Sequence, residues 1–209
     1  MTEPSEPTGP QIYLITPPEI ELSRYPAQLA GCLDSVEVGC VRMALASQDE
    51  DLIARAGDAL REVCHARDVA LVITDHVLMV ERLGLDGVHL ADGSRNVRKT
   101  RKDLGEDAIV GAFCGTTRHD AMSAAEAGAD YAALGPVGAS PLGDGESAAL
   151  ETFEWWSEMI EVPIVAEGHL DADLIRQYAP VTDFFGIGPE IWIQDDAVAA
   201  LKALSQAMA

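Results

Sequence analysis

The chain has 209 residues, of which 48% are hydrophobic, and a formal net charge of −21 at pH 7. A field of that sign repels nucleic acid and anionic membrane surfaces, so we expect neither as a partner of this acidic protein. No apolar run approaches the roughly 20 residues of a membrane span. The length suits a single domain with one sizeable core.

The N-terminal segment 1–10 is polar and proline-rich, and it lacks the basic and apolar regions of a signal peptide. We predict a disordered tail over 1–10 and one domain over 11–209. The four cysteines are scattered and form no C-x-x-C pair, which is typical of reduced thiols. The protein is therefore predicted to be cytoplasmic.

Eight short apolar runs predict strands that are buried on both faces, as in a parallel sheet. In chain order they span 11–16, 36–44, 70–75, 87–90, 109–114, 131–137, 163–168 and 184–188. Segments with helical spacing lie between them, including 49–67, 116–128 and 196–208. This alternation predicts a single (β/α)₈ TIM barrel. The alternative is an open doubly wound sheet, but Thr16-Pro17-Pro18 after the first strand cannot form its glycine-rich turn.

Two charged residues and a glycine stand where these strands end. Arg42 lies near the end of the second apolar run, Asp75 closes the third, and Gly168 closes the seventh. The carboxyl ends of barrel strands meet at one face, where TIM-barrel sites lie. We therefore expect these three residues to converge at one end of the barrel.

The best-matching segments are 12–16, 87–90 and 125–131, the last leading into Gly135-Pro136-Val137. With them, the chain resembles the thiamine phosphate synthase family, which includes a thiazole tautomerase branch, over about residues 12–191. The resemblance implies a transferase of thiamine biosynthesis. It would join hydroxymethylpyrimidine diphosphate to thiazole phosphate with Mg²⁺ and release diphosphate, so its partners are small phosphorylated molecules.

The family's second strand ends in a Gln-x-Arg-Glu-Lys-like run that holds diphosphate. This chain keeps Arg42, whereas Cys40, Met43 and Ala44 replace the glutamine, the acid and the lysine. The resemblance implies that Arg42 is a catalytic and substrate-binding residue, because its planar fork matches phosphate. The alternative is that Arg42 pairs with a nearby acid such as Asp75.

The family's third strand ends in Asn-Asp-Arg, and the same positions here hold Thr74, Asp75 and His76. The resemblance implies that Asp75 is a catalytic Mg²⁺ ligand flanked by substrate contacts at Thr74 and His76. The family's second metal aspartate corresponds to Ser94, and Asp92 is the candidate substitute. The alternative for Asp75 is a helix N-cap.

The family holds thiazole phosphate on backbone N–H groups after strands seven and eight. The resemblance implies substrate contacts at Glu167, Gly168, His169 and Gly188. Two carboxylates, Glu167 and Glu190, bring negative charge there, and Pro189 removes an N–H donor. His169 compensates if it is protonated, and a solvent-facing His169 is the alternative.

Three further features depart from the family pattern. In the loop 138–146 the family lysine is absent, Gly143 stands near its place, and Ser140 is the candidate substrate contact. Pro136 replaces the tautomerase histidine. Cys114 is either a nucleophile or an inert buried thiol. A basic cluster either overhangs the barrel mouth or forms a solvated helix face; its members are Arg95, Arg98, Lys99, Arg101 and Lys102.

These departures predict a divergent synthase whose standard activity is weak or lost. One alternative is a non-catalytic barrel that binds a small ligand or acts as a regulator. The other is an enzyme of changed chemistry on the same rim, using His76, Glu167, His169 and Glu190.

Overall fold

Eight parallel strands close into a barrel in the computed structural model, which describes residues 9–138 and 146–208. Each strand pairs with the next in chain order, and the last pairs with the first. The predicted (β/α)₈ barrel is confirmed and the open-sheet alternative is wrong, because Phe184 in the last strand lies opposite Gln11 in the first. The strands are β1 (Gln11–Ile15), β2 (Val38–Met43), β3 (Ala70–Thr74), β4 (Gly87–Leu90), β5 (Ile109–Phe113), β6 (Tyr131–Leu134), β7 (Ile164–Glu167) and β8 (Phe184–Ile187).

Helices cover the outside of the barrel, and their ends follow from local capping. Asp49 accepts hydrogen bonds from two amides in the first turn of the helix Glu50–His65, and Thr117 accepts one from the first turn of the helix Arg118–Glu126. None of the described helices is both long and apolar enough to cross a membrane. The helices are α1 (Tyr25–Leu33), α2 (Glu50–His65), α3 (Val77–Leu83), α4 (Val97–Leu104), α5 (Arg118–Glu126), α6 (Leu150–Met159), α7 (Ala172–Tyr178), α8 (Pro189–Trp192) and α9 (Ala197–Gln206).

Most of the predicted domain lies in the described part of the chain, and most of the predicted tail does not. Residues 1–8 of the tail and Ser140 lie outside the described residues. The helical segments 49–67, 116–128 and 196–208 are confirmed to within about two residues at each end, a margin that helix ends commonly show.

The side chains of the strands alternate between two apolar layers. In β1, Ile12 and Leu14 pack outward against the helices, whereas Tyr13 and Ile15 fill the barrel interior. Gly111 in β5 leaves the space that the Tyr131 ring occupies, because a methyl group at position 111 would overlap that ring. The interior is therefore a packed core in which one large ring depends on a neighbouring glycine.

Three aspartates fasten the amino end of the barrel. Each precedes an even-numbered strand, and its carboxylate accepts a hydrogen bond from an amide of the preceding strand. Its own amide donates to the carbonyl of that same residue, so the two residues are joined in both directions. The carboxylate contacts are Asp86 with Leu71 (2.6 Å), Asp130 with Val110 (2.7 Å) and Asp183 with Ile164 (2.8 Å).

The apolar layer between the strands and the surrounding helices should contribute most to the free energy of unfolding. Leu60 of α2 is 0% exposed and Leu78 of α3 is 91% exposed. We expect Leu60→Ala to lower the free energy of unfolding by about 2–5 kcal/mol, because it leaves a cavity in the core. The matched change Leu78→Ala should stay within about 0.5 kcal/mol. Urea denaturation measures both, and equal losses would contradict the packing described here.

Candidate functional site

The carboxyl ends of the strands form the mouth of the barrel. Arg42 is the fifth of six residues in β2, Asp75 follows β3 directly, and Gly168 follows β7 directly. Because all eight strands are parallel, these residues share one end, as expected. Sites of TIM barrels are built at this end.

Arg42 points into the barrel and is only 9% exposed. Its Nη1 lies 3.1 Å from Oε2 of Glu167 and 2.7 Å from Nε2 of His89. Its guanidinium also lies over the ring of Tyr13, 5.7 Å from the centroid. The acid that pairs with Arg42 is therefore Glu167 at the end of β7, and the suggested pairing with Asp75 is wrong.

A chain of buried polar groups continues from Arg42. The guanidinium can only donate, so Nε2 of His89 accepts and the ring proton is on Nδ1. Nδ1 then donates to the hydroxyl of Tyr131 at 2.9 Å, which lies 2.5 Å from the hydroxyl of Tyr13. Burial, together with the charge of Arg42, holds the pKa of His89 well below its ordinary value. Burial raises the pKa of both tyrosines.

Several polar atoms at the floor of the mouth are buried without a hydrogen-bond partner. They include Nε of Arg42, Oε2 of Glu167 and Oγ1 of Thr74. Oε2 of Glu167 nevertheless lies 3.1 Å from Nη1 of Arg42, so its charge is compensated by the guanidinium. A buried polar group without any partner costs about 1–3 kcal/mol, and here that applies to Nε of Arg42 and Oγ1 of Thr74.

Burial opposes the charge of Arg42, whereas the carboxylate of Glu167 favours it, and the net effect raises the pKa of Arg42 above its usual value. Arg42 is thus a fixed positive charge at neutral pH. It is the buried cation that the mouth offers to an anionic ligand, and Glu167 already lies against it.

Asp75 and Asp92 line one pocket of about 570 Å³ between the exits of β3 and β4. Oδ1 of Asp75 accepts a hydrogen bond from the amide of Ala91 at 2.8 Å, and Oδ2 of Asp92 accepts one from Asn96 at 2.6 Å. Each carboxylate has a second oxygen outside these bonds. The helix-cap alternative for Asp75 is wrong, because His76 holds the N-cap position of α3 and no side chain caps that helix.

The carboxylates in this pocket suit Mg²⁺ only if a bound substrate supplies further oxygen ligands to the metal. Within 9–138 and 146–208, no group of three or more His, Cys, Asp or Glu side chains is placed to hold a metal. Mg²⁺ commonly binds through one or two carboxylates and takes its other ligands from water and substrate phosphates. Asp75 and Asp92 line the same pocket, and they are the two carboxylates that the resemblance implies for the ion.

The remaining predicted residues lie on the rim. Thr74 and His76 are half-buried on either side of Asp75, and His169 is exposed with φ +55°, next to Gly168 with φ +92°. The exposure of His169 agrees with its solvent-facing alternative. Gly188 is buried at the end of β8.

The basic cluster divides between solvent and the amino end of the barrel. Arg95, Arg98, Lys99 and Lys102 are exposed, whereas Arg101 pairs with Asp130 at the amino end. The described contacts favour the solvated helix face.

Cys114 is buried, and burial raises its pKa to about 12, with a smaller contribution from Asp120. A thiol with that pKa is almost wholly protonated at neutral pH and is a poor nucleophile. The inert alternative for Cys114 is therefore favoured.

Glu190 makes contacts that its position in the sequence does not reveal. Its Oε1 accepts from the amide of Leu170 at 3.1 Å, and its Oε2 accepts from the amide of Gly188 at 2.8 Å. The carboxylate of α8 therefore joins the exits of β7 and β8. Pro189, which lies between Gly188 and Glu190 in the sequence, contributes no backbone N–H group.

His89 should make stability depend on pH. Its pKa is depressed in the folded protein, so below about pH 6.5 the unfolded chain binds a proton that the folded chain excludes. The free energy of unfolding should therefore fall as pH drops below about 6.5, with up to about 1.4 kcal/mol per pH unit from this group. Denaturant titrations from pH 7 to pH 5 measure the slope.

His89→Gln should remove that part of the slope, and His119→Gln at an exposed position should retain it. Identical slopes in all three proteins would contradict the burial of a neutral His89.

Comparisons with known proteins agree with one another. The family described as thiamine monophosphate synthase matches residues 12–181. A thiamine-phosphate synthase of Rhodospirillum centenum is 38% identical over 94% of this chain and 96% of that protein. One of Erythrobacter litoralis is 34% identical over 100% and 99% of the two chains. The structure of a thiamine phosphate pyrophosphorylase from Pyrococcus furiosus shares the fold, with a TM-score of 0.82, 20% identity and 95% coverage of both chains.

Proposed function

The chain belongs to the thiamine monophosphate synthase family, and from that premise we propose that it joins a pyrimidine methyl diphosphate to a thiazole, with a weakened hold on the diphosphate. The observation that carries the proposal is the buried guanidinium of Arg42 at the floor of the mouth, paired with Glu167. The names of the relatives support the class of reaction. The ion pair between Arg42 and Glu167 supports the weakened hold on the diphosphate.

In this reaction the carbon–oxygen bond to the diphosphate breaks, and a bond forms between that carbon and the thiazole. Negative charge develops on the departing diphosphate, so its stabilisation matters more than a base does. Arg42 has five N–H donors in a planar fork that matches phosphate oxygens. Its contacts with Glu167 and His89 both involve Nη1, which leaves other donors of the fork for a ligand.

Asp75 and Asp92 are the carboxylates that would hold Mg²⁺, which supplies further positive charge to the diphosphate when bound. The hydrogen bond from Ala91 keeps Asp75 beside the exit of β4. Thr74 brings a buried hydroxyl without a partner to the same end of β3. These residues orient the pyrimidine diphosphate side of the mouth.

The divergence follows from charge. Two unit charges about 4 Å apart attract by about 4 kcal/mol at an effective dielectric near 20. Glu167 already has such an interaction with Arg42 at 3.1 Å, so a diphosphate must compete with it. Turnover with the family's usual substrates should therefore be slight.

A cytoplasmic location remains a prediction, which the four unpaired cysteines support.

The charge argument gives a test by turnover. We expect little thiamine phosphate from the unmodified chain, at least a tenfold rise in kcat/KM for the pyrimidine diphosphate in Glu167→Gln, and no product in Arg42→Ala. The reason is that a glutamine side chain keeps the shape of the glutamate but releases the guanidinium from a carboxylate. Glu154→Gln on the exposed face of α6 is the matched control and should change nothing.

Full turnover by the unmodified chain, unchanged in Glu167→Gln, would contradict the divergence. Binding of both substrates without product in any variant would instead favour the non-catalytic ligand-binding barrel.

Metal binding gives a second test. We expect weak binding of Mg²⁺ to the free protein and markedly tighter binding when diphosphate is present, because the described residues hold no group of three or more His, Cys, Asp or Glu side chains placed for a metal. Asp75→Asn should abolish the diphosphate-dependent binding in calorimetry, and Ser94→Asp should strengthen it. Asp103→Asn in the same pocket is the control. Tight binding of Mg²⁺ to the free protein, lost in Asp75→Asn, would show a complete metal site and overturn this expectation.

A further inference from the structure

His89 lies at the centre of the buried polar network inside the barrel, although the proposed reaction makes no direct use of it. The residue belongs to β4 and is 2% exposed. Its Nε2 accepts a hydrogen bond from Nη1 of Arg42 at 2.7 Å, and its Nδ1 donates one to the hydroxyl of Tyr131 at 2.9 Å. Both ring nitrogens are therefore satisfied, and the ring reaches from β4 past β3 to a side chain of β2.

The side chain of Tyr131 holds the imidazole of His89 in one orientation. The two rings are stacked, with their centroids 5.8 Å apart and their planes inclined by 21°. Tyr131 is itself fixed, because its hydroxyl lies 2.5 Å from that of Tyr13 and because Gly111 leaves the space that its ring fills. His89 can therefore neither turn over nor move away from Arg42 without breaking buried hydrogen bonds.

The guanidinium of Arg42 depends on such contacts for its orientation. Arginine has many rotamers, and its planar fork matches phosphate oxygens only when it is held in the right plane. Nη1 lies 2.7 Å from His89 and 3.1 Å from Glu167, and the guanidinium lies 5.7 Å from the ring centroid of Tyr13. Unlike Glu167, His89 accepts from Arg42 as a neutral ring. It thus orients the fork without offsetting its positive charge.

The backbone of the same strand fixes the carboxylate of Asp75. The carbonyl of His89 accepts a hydrogen bond from the amide of Asp75 at 3.0 Å, and the amide of Ala91 donates to its Oδ1 at 2.8 Å. These bonds hold Asp75 at φ +60°, a left-handed conformation that is uncommon for residues other than glycine. The cation of β2 and the carboxylate after β3 therefore both take their positions from residues 89–91.

We propose that His89 is a positioning residue for the diphosphate of the pyrimidine substrate, because its ring holds the guanidinium of Arg42 in the orientation that binds this group. The inference rests on the proposed function, since it concerns the diphosphate site of that reaction. His89 acts through Arg42; it touches no reacting atom and transfers no proton.

The test measures the affinity for inorganic diphosphate with Mg²⁺, by titration calorimetry, in two variants of matched length. Glutamine places an amide oxygen near the position of Nε2, whereas methionine of similar length offers only a weakly accepting sulfur. We expect His89→Gln to stay within threefold of the unmodified chain and His89→Met to lose at least tenfold in affinity. His119→Met, at an exposed position in α5, is the matched control and should leave the affinity unchanged.

Urea denaturation of the same proteins separates positioning from stability. A merely structural role predicts the same diphosphate affinity in both folded His89 variants, whatever their free energies of unfolding. Equal affinities in His89→Gln and His89→Met, or a chain that binds no diphosphate in its unmodified form, would overturn the inference.

The protonation of the imidazole gives a second test that does not require a substituted protein to retain its fold. In nitrogen NMR of the unmodified chain, we expect Nδ1 of His89 to carry the proton and Nε2 to carry none, both before and after diphosphate binds. A proton on Nε2 in either state would refute the positioning role, because that nitrogen could then accept nothing from Arg42.

Binding and turnover separate this inference from the proposed function. The expected order of diphosphate affinities, without transfer to a thiazole by any of these proteins, would leave the positioning role of His89 standing and refute the transferase. Transfer that is equally fast in His89→Gln and His89→Met would uphold the transferase and refute the positioning role.

Discussion

Arg42 and Glu167 come from strands that are not neighbours, yet their charged groups lie 3.1 Å apart inside the barrel. Removing one partner of such a buried pair strands the other charge, which typically costs about 3–5 kcal/mol. Arg42 also fixes the tautomer of His89, and His89 in turn donates to Tyr131. The polar part of the barrel interior therefore depends on this one ion pair.

Carboxylates also lie at the mouth of the barrel, above the Arg42–Glu167 ion pair. Glu167 lies 3.1 Å from the guanidinium of Arg42, and Glu190 accepts hydrogen bonds from the amides of Leu170 and Gly188 after β7 and β8. In a chain with a net charge of −21, neither carboxylate is surprising by itself. Their positions matter, because Glu167 meets a buried cation and Glu190 meets two backbone amides.

The sequence predicted the barrel well because each strand is a local apolar run and each helix has its own spacing and caps. The interior network was not predicted, since its members are far apart along the chain: Arg42 and His89 are 47 residues apart, and Tyr13 and Tyr131 are 118 apart. The partner of Arg42 was misplaced for the same reason. Alternation within β1 could have indicated that Tyr13 faces inward. The two amides that Glu190 reaches carry no side-chain signal.

The reciprocal bonds of Asp86, Asp130 and Asp183 lie at the opposite end of the barrel from the mouth. Each joins an even-numbered strand to the odd-numbered strand before it, so the base is fastened in two-strand units without any help from the loops above. The exit residues Glu167, Pro189 and Glu190 take no part in these bonds, so a substitution at any of them leaves the fastening of the amino end intact.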